Sequence, residues 1–239
     1  MKYCDLTLPT PEENLALDEV LLDFCEAGAG RELLRVWEPT QYFVVVGYAN
    51  RVATEVNLDF CRKQGIAVRR RCTGGGTVLQ GPGCLNYSLV LRLDGTERLQ
   101  SISGTNDFIM ERHRLALSSV IGDRVEKQGH TDLALGGLKF SGNAQRRRQH
   151  CLLFHGTFLL DLDLELVERA LPLPSKQPAY RANRAHRDFL MNLRVPAPEL
   201  KAALAAAWGA RQELADIPLK ETRRLAGEKY ASEEWNWKF

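Results

Sequence analysis

Hydrophobic and polar positions follow two rhythms along the chain, and the switches between them mark the elements. Thr10-Pro11-Glu12-Glu13 has the form of a helix start, with a threonine cap, proline at the first helical position and acidic residues in the first turn. Leu15, Leu17, Val20, Leu21, Leu22 and Phe24 then keep a helical spacing until Gly28 and Gly30 end it. Residues 33–39 and 42–50 are short and rich in β-branched and aromatic side chains, which predicts strands, and residues 57–65 predict a short helix stopped by Gly65. Residues 66–71 are again strand-like and run into a glycine-rich loop, then into an alternating strand in which Leu85, Tyr87, Leu89 and Leu91 share one face. A helix is predicted over 107–120. Three hairpin-like strands follow it, with Gly136-Gly137 as a turn signal.

After Asp163 the pattern turns largely helical, interrupted by the proline-rich 172–178 and the polar 180–189. No repeat and no long linker divides the chain, so residues 1–239 read as one α+β domain with a helical carboxy-terminal third from about 164 and no separate accessory domain.

Charge changes this picture little. The 32 Lys+Arg and 30 Asp+Glu leave a formal net charge of +2, which argues against a nucleic-acid partner and makes any charge-based recognition local. The amino terminus lacks the form of a signal or transit peptide, and no apolar run reaches membrane-spanning length, so a cytoplasmic protein without a membrane partner is expected. Cys4, Cys25, Cys61, Cys72, Cys84 and Cys151 are scattered without a C-x-x-C pair. They read as packed thiols, not as a disulfide framework or a metal site.

Three segments carry candidate chemistry. In Arg70-Arg71-Cys72-Thr73-Gly74-Gly75-Gly76-Thr77-Val78 the glycines permit close approach of bare N–H groups to an anion, and the arginines supply charge-assisted bonds to phosphate or carboxylate. It is neither a P-loop nor a dinucleotide fingerprint, because no Gly-Lys-Ser/Thr follows and a strand, not a helix, comes next. Lys139, between Leu138 and Phe140, either reaches solvent from an exposed sheet face or meets an anion. His155, among apolar strand residues, reads more readily as a satisfied structural group than as a general base, and Asp132 stays open.

Taken in order, R-R-x-x-G-G-G-x-V, G-x-x-N-Y-S at Gly83 to Ser88, Asp132-Leu133, K-x-S-G-x-A at Lys139 to Ala144 and H-G-T-x-L-L at His155 to Leu160 resemble the lipoate-protein ligase and octanoyltransferase superfamily. The resemblance extends from the first helix to about Asp163 and returns weakly at 230–235. It implies a fold like the catalytic domains of biotin ligases and class II aminoacyl-tRNA synthetases, a central mixed and largely antiparallel sheet with helices on one side. It also implies that Arg71, Gly76, Thr77, Val78, Leu79 and Lys139 bind ATP, Lys139 being the catalytic residue that meets both nucleotide and acyl carbonyl. Arg70, Gly74, Gly75, Asn86, Asp132, Ser141, Gly142, His155 and Gly156, in the same motifs, complete the expected acyl-adenylate site. Leu79-Gln80-Gly81-Pro82 departs from the polar pair many ligases carry there.

The implied reaction is activation of lipoate or octanoate by ATP with Mg2+, followed by transfer to a lysine of a lipoyl-domain or glycine-cleavage-H-like carrier, with a separate small accessory protein as a further expected partner. A cysteine-dependent transferase between carriers is the alternative, and a non-catalytic carrier-binding protein a second. The loop Gly129-His130-Thr131-Asp132 has no cysteine, and Cys151 is offset from the position a transferase nucleophile would take, which favours the ligase. Biotin ligation fits less well, because the K-W-P-N-D type segment and the G-R-G-x-x-G-R loop are missing.

Overall fold

The computed structural model describes all of residues 1–239 except Gly30, Gly95, Thr96 and Asp123. The expected stop at Gly30 therefore lies outside the described residues. Strand β1 (Lys2–Asp5) leads into helix α1 (Pro11–Glu26). Thr10 caps that helix in a reciprocal box, its hydroxyl accepting the Glu13 N–H at 3.2 Å while the Glu13 carboxylate accepts the Thr10 N–H at 3.3 Å. There follow β2 (Leu33–Trp37), β3 (Phe43–Val46), α2 (Val52–Glu55), α3 (Leu58–Lys63), β4 (Ala67–Arg70), β5 (Val78–Gln80) and β6 (Cys84–Arg92). Helix α4 (Ile102–Ile121) starts earlier than Asp107 because the Ser101 hydroxyl caps the Gly104 N–H at 3.0 Å. The meander β7 (Glu126–Gln128), β8 (Asp132–Leu135), β9 (Leu138–Arg147) and β10 (Cys151–Leu159) comes next. The carboxy-terminal third holds α5 (Leu164–Ala170), α6 (His186–Phe189), α7 (Ala197–Trp208), the short β11 (Gln212–Glu213), α8 (Leu219–Leu225), a π-helical turn Ala226–Tyr230 and α9 (Glu233–Asn236).

Among the described residues eight strands form one sheet in the order β11-β1-β2-β6-β10-β9-β8-β7, parallel only at the β11-β1-β2 end. This is the mixed, largely antiparallel α+β sheet the sequence implies. Two predicted strands, β3 and β4, stand apart from it, however, and with β5 make a second sheet of three. β3 is buried on both faces, Val44 and Val46 packing with Val52, Cys61 and Val167, and Phe43 and Val45 with Leu15, Ala16 and Tyr230.

Helices lie on both faces of the large sheet, which corrects the expectation of one. Leu34, Val36, Leu85, Tyr87, Leu89 and Leu91 pack against Ile109, Met110 and Leu117 of α4 and Leu200 and Leu204 of α7. Leu33, Val90 and Leu153, on the opposite side of the pleat, pack against Leu17, Leu21 and Leu22 of α1. Each fully buried leucine contributes about 1.5–3 kcal/mol, so the two helix layers fix the sheet rigidly. Among the described residues no helix is long and apolar enough to cross a membrane.

Candidate active site

The register of the large sheet lays out a polar floor beneath α1. Arg35, Ser88, His155 and Ala144 fall in one row across β2, β6, β10 and β9, and Trp37, Asn86, Thr157 and Gly142 in the next. Above them opens a cavity of about 540 Å³ whose lining includes Arg71, Gly75, Asp132, Lys139, His155 and Arg181. The small sheet closes one side through Gln80, which donates to the Thr157 hydroxyl at 2.6 Å and accepts from the Asn86 amide at 3.0 Å. The departure at Leu79-Gln80 is thus a bond between the two sheets.

The adjacent arginines have opposite surroundings. Arg71 is buried, and its guanidinium donates to the Gly74 carbonyl at 2.7 and 3.1 Å and to the Gly76 carbonyl at 2.7 Å, with no carboxylate partner among the described residues. Burial pulls its pKa down to about 10, so it stays charged at neutral pH. Gly75, between those carbonyls, has φ +91, and a Cβ there would lie 2.9 Å from Arg71 Nη2. The loop is also pressed from behind, since a Cβ on Gly47 would fall 2.1 Å from the Gly75 carbonyl oxygen. Gly47 is a requirement of the loop that the pattern of the chain did not disclose.

Arg70, by contrast, does not face the cavity, a correction to its expected role. Its side chain is fully buried and donates to the carbonyls of Gly47, Tyr48, Asn50, Trp235 and Asn236 at 2.8–3.0 Å. The N–H groups an anion would need are taken by the main chain. Leu79 likewise turns into the apolar core, as β5 alternation requires once Val78 and Gln80 line the cavity. Ser141 is buried off the lining and accepts from the Asn143 amide at 3.3 Å, and Gly74 stands beside the cavity and not on it.

Lys139 reaches the cavity through a bulge. Leu133 pairs with Ser141 but Ala134 with Lys139, so Phe140 is the extra residue and Lys139 joins the face of Gly142 and Ala144. Its ammonium lies 2.8 Å from Asp132 Oδ1, while the Tyr180 hydroxyl donates to Oδ2 at 2.7 Å. The lysine stem crosses Gly142 so closely that a Cβ there would be 2.9 Å from Nζ. The spacing K-x-S-G therefore provides both a cation and the path it needs.

His155 sits in a buried polar chain. Its Nε2 is 2.7 Å from the Thr73 hydroxyl and its Nδ1 is 3.1 Å from Asp18, whose other oxygen accepts from Arg35 at 2.6 Å. Burial pushes the Asp18 carboxyl up, yet Arg35 and the His155 bond together hold it below its ordinary value. The histidine is satisfied structurally, as its apolar neighbours suggested, and its partner Thr73 ties the floor of the cavity to the glycine loop. Asn86, Thr77, Val78, Gly76 and Gly156 also line the cavity, Gly156 beside Asn143, which accepts from Tyr87 at 2.6 Å.

All six cysteines are buried and none lines the cavity. Burial raises Cys25, Cys72 and Cys84 to about 12, where a thiolate is scarce at neutral pH. Cys151 pairs with Arg92 at the first position of β10, four residues before His155.

This fold and site belong to a defined class. The chain belongs to the family of the lipoyl protein ligase A/B catalytic domain, whose model matches residues 10–205. The match runs well past Asp163, where the resemblance in the sequence faded. The chain is 28% identical to an octanoyltransferase LipM of Lysinibacillus sphaericus, covering 96% of this chain and 95% of that protein. It is also 28% identical to a lipoate-protein ligase A subunit 1 of Thermoplasma acidophilum, covering 97% and 95%. Its fold matches a crystal structure of lipoate-protein ligase A bound with ATP with a TM-score of 0.84 and 26% identity, covering 99% of both chains.

Proposed function

We propose that the protein activates lipoate or octanoate with ATP to the acyl-adenylate and passes the acyl group to a lysine of a lipoyl-domain carrier. The observation that carries this reading is that Arg71 and Lys139 line one cavity from which every cysteine is missing. A transferase of this fold needs a thiol in reach of the acyl carbon, and an adenylating enzyme needs fixed positive charge around the phosphates instead. Relatives carry both names at equal identity, so the reading rests on the composition of the site and not on similarity.

In the first step an acyl carboxylate oxygen attacks the α-phosphorus, the bond to the bridging oxygen of the β-phosphate breaks, and pyrophosphate leaves. Arg71, its pose fixed by Gly74 and Gly76, binds phosphate oxygens, and Lys139 exchanges part of its bond with Asp132 for the developing negative charge. In the second step the neutral carrier amine attacks the acyl carbon, AMP leaves with the oxygen that joined them, and the proton the nitrogen loses passes to solvent. Mg2+ commonly binds through substrate phosphates and one or two carboxylates, and Asp132, whose oxygens take Lys139 and Tyr180, is the carboxylate that would share it with the phosphates. When bound, the ion would neutralise charge on the leaving pyrophosphate. The similarity to a protein described with an archaeal bi-partite ligase and its E2 lipoyl domain, at 25% identity and a TM-score of 0.81, supports a lipoyl-domain acceptor and a separate accessory protein.

The test is mass spectrometry of a purified lipoyl domain after incubation with the protein, using free acid with ATP in one arm and octanoyl-carrier without ATP in the other. The expected result is modification in the ATP arm alone, retained in Cys72→Ser, Cys84→Ser and Cys151→Ser. Transfer without ATP that one of these serines eliminates would establish the octanoyltransferase reading instead.

A further inference from the structure

Arg181 is a buried cation that the site described so far does not use. It lines the cavity, is 4% exposed, and its Nη2 has no hydrogen-bond partner among the described residues, while its Nε donates to the Arg184 carbonyl at 3.1 Å. No carboxylate pairs with it among the described residues; Phe189 covers its guanidinium at 4.7 Å instead. A buried guanidinium with an idle N–H is costly, and the cost is met when an anion arrives.

The segment around it is built, not loose. The Tyr180 hydroxyl bonds Asp132, and Arg184 Nη2 donates to the carbonyls of Gly137 and Tyr180 at 3.1 and 2.9 Å, so both flanks are tied to the wall that carries Lys139. Ala182 and Asn183 follow with φ of 50 and 57, a left-handed pair that non-glycine residues adopt only when their surroundings dictate it. Gln177 supplies part of that constraint by bonding both the side chain and the N–H of Asn183, at 2.7 and 3.1 Å.

Charge then selects the ligand. A triphosphate brings up to about four negative charges when fully ionised, whereas of the two cations already assigned Lys139 is ion-paired with Asp132. We infer that Arg181 is a third phosphate-binding residue, which holds the pyrophosphate end of the nucleoside triphosphate and so its leaving group. This deepens the ATP-dependent reading above and rests on it. Planar, multidentate N–H donation is what a bridged pair of phosphates accepts best, and a lysine supplies the charge without the fork.

The test compares the full chain carrying Arg181→Gln and Arg181→Lys with the wild type, each shown to be folded by circular dichroism and thermal melting. Calorimetry with inorganic pyrophosphate and with a non-hydrolysable acyl-sulfamoyl adenosine is run beside ATP–pyrophosphate exchange. Arg181→Gln is expected to weaken pyrophosphate and raise the KM for ATP by about 10-fold or more, with the acyl-sulfamoyl adenosine within about twofold, and Arg181→Lys to recover part of the loss. Unchanged pyrophosphate affinity in the folded Arg181→Gln protein, or weakening confined to the adenylate analogue, would overturn the inference while leaving ATP use intact. A wild type that binds neither ATP nor pyrophosphate would overturn the ATP-dependent reading itself, and the inference with it.

Discussion

Arg70 and Arg71 are neighbours in the chain and occupy two regions with opposite demands. Around Arg70, the turn at 47–50 and helix α9 direct five carbonyls at one guanidinium, so the charge is consumed in holding the carboxy-terminal helix to β4. Around Arg71, two carbonyls of a glycine loop fix the pose and leave the rest of the group to the cavity. Lys139 belongs with the second region but differs in having a carboxylate to leave. The same side-chain type therefore serves stability where the main chain surrounds it and chemistry where the main chain only braces it.

The strongest way to break this contrast is to remove the cations one at a time. Lys139→Ala should lower acyl-adenylate formation by about 100-fold or more while the melting temperature stays near wild type, because a half-buried strand position tolerates alanine. Near-normal adenylate synthesis by the folded variant would remove Lys139 from the chemistry. Arg71→Ala should raise the KM for ATP by about 10- to 100-fold with little loss of stability, since the carbonyls it frees border an exposed loop. Arg70→Ala should do the reverse and destabilise the fold by about 3 kcal/mol or more, because it strands several buried carbonyls at once. Equal melting temperatures for the two alanine variants would contradict the division.

A smaller effect comes from the loop's support. Gly47→Ala must displace the Gly75 carbonyl, which a Cβ would meet at 2.1 Å, and is expected to raise the KM for ATP about 10-fold without affecting acid binding. Unaltered ATP kinetics would show that the loop adjusts freely.

The smallest effect concerns a group that is buried neutral where Arg70 is buried charged. Burial pushes His113 down from 6.5 to about 3, and its Nε2 accepts from Trp208 at 2.8 Å. Between those two values the unfolded chain binds the proton and the folded chain does not, so this contribution is complete above about pH 6.5 and is lost as pH falls toward 3. The slope is about 1.4 kcal/mol per pH unit, and His113→Gln, which keeps an acceptor for Trp208, should flatten urea-derived stability between pH 4 and 6 by roughly that amount. Parallel pH profiles for the two proteins would rule the burial argument out.

Much of this was legible from residue patterns, and the exceptions have physical causes. The Thr10 cap, the helices after Asp163 and the hairpin at Gly136-Gly137 follow from local rules, and the sequence order of the motifs implied the α+β sheet. The fate of Arg70 did not follow, because its partners Trp235 and Asn236 lie 165 and 166 residues away in the chain. The separate small sheet was equally hidden, since a strand buried on both faces looks the same in either sheet. Asp18 and Arg35 did leave a signal, each a charge within an otherwise apolar pattern of a helix and a strand, and their pairing at 2.6 Å explains both. Arg181 left none: it is one arginine in a polar stretch that contains two others, and only the fold around Phe189 and Asp132 sets it apart.

The central claim is that the acyl carboxylate attacks the α-phosphate, and an isotope label follows that bond directly. Lipoate carrying 18O in both carboxylate oxygens, incubated with ATP, the protein and a lipoyl-domain acceptor, should deliver one 18O to each AMP released, read as a mass increase in AMP and an isotope shift in its phosphorus resonance. Lipoyl-domain modification without AMP, or with AMP free of 18O, would contradict acyl-adenylate formation.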